Sequence, residues 1–84
     1  MELLFFYQDG CAPCDEVKPR VEAFAERHGI NLIRIDARRD VQGAVQHYGV
    51  RATPTAVLIG PDGVTLGRLF GRLINERTLE KLIS

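Results

Sequence analysis

The chain has 84 residues, about the length of one small domain, and residues 1–84 are read as a single domain. Leu, Ile, Val and Phe fill 26 of the 84 positions, well above the roughly 20% below which chains stay disordered, so a packed core is expected. Eleven basic residues balance eleven acidic ones, which argues against a nucleic-acid binder that relies on bulk electrostatics. No apolar run approaches the roughly 18 residues of a membrane span, and the first residues lack the pattern of a signal peptide. A cytoplasmic monomer with neither nucleic acid nor membrane among its partners is the expectation.

In chain order, Leu3–Tyr7 is an apolar run that stops at Asp9-Gly10, which suits a central strand covered on both faces. Cys14, Val17, Val21, Phe24 and Ala25 then recur at helical spacing. Pro13 fits the first turn of that helix and Gly29 its end. Pro19 lies inside it, where it removes a backbone hydrogen bond and is expected to kink the axis. Asn31–Asp36 alternates around Ile33 and Ile35, as a less buried strand does. Asp40 can cap a short helix carrying Val41, Ala44, Val45 and Tyr48 and ending at Gly49, with Gly43 weakening it by about 1 kcal/mol relative to alanine. Thr55–Ile59 and Val64–Phe70 read as strands of a hairpin closed by Gly60-Pro61-Asp62-Gly63. Asn75 caps a last helix, with Ile74 and Leu79 forming a hydrophobic staple. The order is β-α-β-α-β-β-α, an α/β arrangement with a mixed four-stranded sheet flanked by three helices. The first two strands are joined through a helix and should be parallel.

Cys11-Ala12-Pro13-Cys14 falls where the first strand gives way to the first helix. A thiol there faces unpaired N–H groups and the positive end of the helix dipole, both of which favour the thiolate. Cys11 would be exposed and attack a disulfide. Cys14, three positions on and on the same helix face, would be more buried and close enough to resolve the mixed disulfide. As a staple the pair is weak, because so small a loop hardly restricts the unfolded chain. Zinc prefers four protein ligands and only His28 and His47 remain, so no metal is expected on one chain. A metal or iron–sulfur centre shared by two chains is the alternative use of the pair.

Together with Tyr48-Gly49-Val50-Arg51-Ala52-Thr53-Pro54-Thr55, Pro19, Gly63 and Gly71, this motif resembles the thioredoxin and glutaredoxin superfamily over nearly the whole chain. The short length and thioredoxin-like features are most similar to small archaeal and phage-type thioredoxins. The resemblance implies a thioredoxin-like fold, with Cys11 as nucleophile, Cys14 as resolving thiol and Pro54 in cis. Pro13, Thr53, Pro54 and Gly71 would bind substrate, the Thr53 backbone pairing with an extended client segment. No bound cofactor is implied, because the electrons reside on the Cys11–Cys14 pair. The implied partners are disulfide-containing client proteins and an electron donor, either a thioredoxin-reductase-type flavoprotein or glutathione.

Several positions depart from the family pattern. Gly10 and Ala12 replace the usual tryptophan and glycine around the first cysteine, and Phe5 and Leu32 stand where thioredoxins carry a buried aspartate and its lysine neighbour. Asp9, Asp15 and Glu16 form an acidic rim expected to oppose the helix dipole. Ala52-Thr53-Pro54 and Gly71-Arg72 give only an incomplete glutathione signature, with Arg51 and Arg72 as its basic candidates. Tyr7 and Phe70 are expected in the core or as groove walls. The resulting reading is a thiol–disulfide oxidoreductase that reduces protein disulfides. A glutathione-recharged relative, or a redox-inactive or metal-bridged binding module, is the alternative.

Overall fold

The computed structural model describes residues 1–84. Four strands, β1 (Glu2–Tyr7), β2 (Asn31–Asp36), β3 (Thr55–Ile59) and β4 (Thr65–Phe70), form one mixed sheet in the order β2-β1-β3-β4. The helices are α1 (Ala12–His28), α2 (Ala44–His47) and α3 (Glu76–Ile83), with a 3-10 turn at Gly71–Leu73. β1 pairs in parallel with β2 and antiparallel with β3, and β3 pairs antiparallel with β4. This is the β-α-β-α-β-β-α arrangement read from the sequence.

Burial follows from the alternation of side chains along a strand. Leu3 and Phe5 of β1 join Ala56 and Leu58 of β3 against Val17, Val21, Phe24 and Ala25 of α1 and Leu79 of α3. Leu4 and Phe6 point the other way, to Val57, Ile59 and the half-buried residues of α2. β1 and β3 are central and covered on both faces, so their apolar runs are continuous. β2 and β4 are edges and carry exposed residues along their length, Arg34 in β2 and Leu66, Arg68 and Phe70 in β4.

Helix α1 starts with Cys11 as its N-cap and ends at Gly29, whose N–H returns to the last turn. It runs through Pro19 as one continuous helix. α2 differs from expectation. Gly43, not Asp40, holds the N-cap position, although the Asp40 carboxylate accepts the Val45 N–H at 2.6 Å; only four residues are helical and Val41 is 95% exposed. Gly43 is not a weak point inside the helix. It precedes the helix at φ +76°, a left-handed conformation that glycine adopts without steric cost. The hairpin turn closes through the Gly63 N–H on Gly60 O at 3.0 Å. At α3, Asn75 is the N-cap, and Ile74 and Leu79 on either side of it are fully buried. No helix is long and apolar enough to cross a membrane.

Candidate active site

The cysteines lie where β1 hands the chain to α1, and they are joined as a disulfide with Cα atoms 5.2 Å apart. Cys11 occupies the position usually held by Ser, Thr or Asp at a helix start. Its Sγ accepts the Cys14 N–H at 3.2 Å, so the first-turn amide that a capping oxygen would satisfy is aimed at sulfur. Cys11 is half-buried, whereas Cys14 is 3% exposed and packs in the core face of α1. The asymmetry expected from the spacing is therefore present in the fold.

The loop before β3 closes over the pair. The Thr53–Pro54 bond is cis, the isomer implied by the resemblance. Thr53 Oγ1 lies 3.8 Å from Cys11 Sγ and Thr53 O 3.9 Å from it. Pro54 is buried, and its carbonyl accepts the Gly71 N–H at 2.9 Å. Gly71 holds φ +64° at the exit of β4, a backbone state that favours glycine. Cys11, Pro13, Cys14, Thr53, Pro54 and Gly71 thus come from three separate stretches. The contacts above link Cys11 to Cys14 and Thr53, and Pro54 to Gly71; Pro13 joins the site as part of the first turn of α1.

Three further residues position this site; the sequence marks Glu16 and Arg72 as charges near it and gives no signal for Arg20. Arg20 on α1 donates to Ile74 O at 3.0 Å and to Arg72 O at 3.5 Å, fixing the turn that follows Gly71. Arg72 and Glu16 form an ion pair at 2.7 Å. Glu16 of the acidic rim is thus paired with a cation, one of the two basic candidates named for glutathione. Phe70 takes the second of its two expected places, a groove wall. It is 62% exposed and belongs to no core. Beside Cys14, a cavity of about 440 Å³ opens to Asp9, Asp15, Lys18 and Arg34, with the ring of Phe5 in its wall.

His28 lies far from the cysteines. It ends α1, about 25 Å along the helix from its start at 1.5 Å per residue, where it packs on Phe24 and faces Glu80 at 3.5 Å. His47 stacks edge-on against Tyr48. No group of three or more His, Cys, Asp or Glu side chains comes together to hold a metal ion.

A protein-family model described as "TraF: F plasmid transfer operon protein" matches residues 1–67. Among solved structures, a mutant thioredoxin from Halobacterium salinarum NRC-1 is 38% identical, with a TM-score of 0.82 over 98% of this chain and 70% of that one. The chain belongs to the TraF family and to the thioredoxin superfamily. Fasciola hepatica thioredoxin is 31% identical with a TM-score of 0.79, over 98% of this chain and 76% of that one. Thioredoxin 1 from Thermosipho africanus TCF52B, 20% identical, shares the fold at a TM-score of 0.82 over 99% of this chain and 90% of that one. A curated relative, the "Thioredoxin-like protein" of Fusarium culmorum, is 31% identical over 80 residues, taking in 74% of this chain. The chain spans just under two thirds, 66%, of that relative's length. The superfamily places a Cys-x-x-Cys pair in a fold that supports thiol–disulfide exchange.

Proposed function

We propose that this protein is a thiol–disulfide oxidoreductase that reduces disulfides in client proteins. The observation that carries the reading is the placement of Cys11 Sγ. It sits at the N-terminus of a 17-residue helix, accepts the Cys14 N–H, and lies beside the Thr53–Pro54 segment.

In the reduced protein, the Cys11 thiolate attacks one sulfur of a client disulfide. The client S–S bond breaks, one client thiolate leaves, and a Cys11–client mixed disulfide forms. Cys14, deprotonated in turn, attacks Cys11 Sγ, closes the intramolecular disulfide and releases the second client thiolate. Two electrons pass from the dithiol to the client, and its two thiolates take up the two protons. The N–H on Cys11 Sγ and the dipole of α1 stabilise the charge there whenever Cys11 is the attacking or leaving group. Because Phe5 supplies no carboxylate, the proton of buried Cys14 leaves through the adjoining cavity, past Asp15 and Lys18. The Thr53 backbone would pair with the client segment, with Pro13, Pro54 and Gly71 bordering it. No bound cofactor is needed, and an external donor restores the dithiol. That donor is a reductase-type flavoprotein or glutathione.

An equilibrium redox titration of the Cys11–Cys14 pair tests this. A reversible two-electron transition near roughly −270 mV supports a reductant, one at about −200 to −230 mV points to glutathione as donor, and no reversible transition refutes the reading. Turnover of a protein disulfide should vanish in Cys11→Ser, whereas Cys14→Ser should accumulate a client mixed disulfide visible by non-reducing electrophoresis.

A further inference from the structure

One face of β4 has no cover. Its neighbour across the ladder fixes which way each side chain points: Arg68 pairs with Val57 and Phe70 with Thr55, and directly opposed residues share a face. Val57 belongs to the core on the α2 side, so Arg68 and Phe70 lie on that side as well. That core draws side chains from β1, β2 and β3 and none from β4, and α2 on that side is a single turn.

The bare face continues into a cavity of about 350 Å³ whose walls include Val50, Arg51, Ala52, Arg68, Leu69 and Phe70. Ala52 precedes Thr53 in the chain, and Phe70 precedes Gly71, whose N–H is bound to Pro54 O. The cavity therefore opens directly beside the segment that faces Cys11. Its electrostatics are one-sided. Arg51 and Arg68 have no ion-pair partner, whereas Arg27, Arg34, Arg39 and Arg72 each have one, and no carboxylate lines the cavity. The Arg68 guanidinium bends over the backbone at Gly49, its Nη1 3.7 Å from where a Cβ there would sit, which brings it to the loop that carries Arg51.

We propose that this cavity is a specificity subsite for client proteins whose disulfide lies beside an apolar residue flanked by Asp or Glu. The apolar residue packs on Phe70 and Val50, and its acidic neighbours meet Arg51 and Arg68. The occupant follows from charge complementarity: two unpaired cations frame an apolar floor with no acid to oppose an anion. The subsite rests on the oxidoreductase reading only for the disulfide that the client carries.

Binding is measured by amide chemical shifts, using two short synthetic peptides with serine in place of the reactive cysteine. One carries Glu-Phe-Glu beside that serine and the other Lys-Phe-Lys. The Glu peptide should shift the Val50, Arg68 and Phe70 amides and bind roughly tenfold more tightly, as two exposed ion pairs allow. The preference should shrink in 1 M salt and disappear in R51Q/R68Q, with R51E/R68E reversing it. Equal binding of the two peptides overturns the subsite, as does a preference that survives in both variants. Shifts at these amides from γ-Glu-Ser-Gly alone overturn it too, by assigning the cavity to a glutathione-like ligand. Reduction of uncharged hydroxyethyl disulfide by the unaltered protein keeps the two readings apart. Failure there refutes the dithiol chemistry while the peptide preference still establishes the docking surface.

Discussion

Asn75 Oδ1 accepts the Thr78 N–H at 2.9 Å, and Thr78 Oγ1 accepts the Asn75 N–H at 3.1 Å. Two amides at the start of α3 are thereby satisfied by two side chains. With eight residues, this helix is too short to persist alone in water, so its cap and the buried Ile74–Leu79 contact must hold it. The Thr78 hydroxyl also reaches Leu73 O at 2.7 Å, which fastens the turn after Gly71. Asn75→Ala should lower stability by about 1 kcal/mol, seen in thermal unfolding as a drop of about 4–8 °C. An unchanged midpoint would mean that the staple alone fixes the helix start. Asn75 was legible as a cap from its place before an apolar-periodic segment. Thr78 was not, because Glu or Gln is the usual third-position partner.

At the scale of elements, α1 is the part that organises the site. It carries both cysteines at its start, and two turns on it sends Arg20 across to the carbonyls of Arg72 and Ile74. Arg20→Met keeps most of the apolar stem and removes those bonds, one of them part-buried, at a cost of about 1–2 kcal/mol. Amide exchange should accelerate at Ile74, whose N–H bonds to Gly71 O within this segment, and at Gly71, whose N–H bonds to Pro54 O, and stay unchanged in β1. Protection retained at Gly71 would show that its bond to Pro54 O suffices. The cysteine helix was legible because Pro13, five spaced core residues and Gly29 all mark it. The tie between Arg20 and residue 74 was not, since nothing in a helical arginine reports a partner 54 positions away. α2 misled for a different reason. One helical turn has no periodicity to detect, and Gly43 serves as a left-handed turn residue where helical spacing made it an interior position.

Across the whole molecule, strand position was written in the pattern of burial. Leu3–Tyr7 and Thr55–Ile59 are unbroken because both faces are covered, while the edge strands are interrupted by exposed residues such as Arg34 in β2 and Arg68 in β4. Which helix covers which face is set by chain crossing and packing, and apolar spacing alone does not encode it. α1 and α3 share a face and are tied by charge between the last turn of α1 and the first two turns of α3. Arg27 Nη1 lies 3.1 Å from Glu76 Oε1 and 3.7 Å from Glu80 Oε1. Glu76 Oε1 is shut off from water and has no hydrogen bond, so Arg27 is its only near compensation. An ordinary surface ion pair contributes between nothing and about 1 kcal/mol, and the exposure of Arg27 argues for that low range. The enclosed oxygen argues for more, because removing the cation leaves a desolvated carboxylate unpaired. Arg27→Ala should therefore cost about 1–2 kcal/mol in urea unfolding, whereas Arg27→Ala combined with Glu76→Gln should recover about half of that loss. If the double variant is no more stable than Arg27→Ala alone, the Glu76 carboxylate regains water once its partner is gone, and the two helices are held by Leu79 and its apolar neighbours without help from charge.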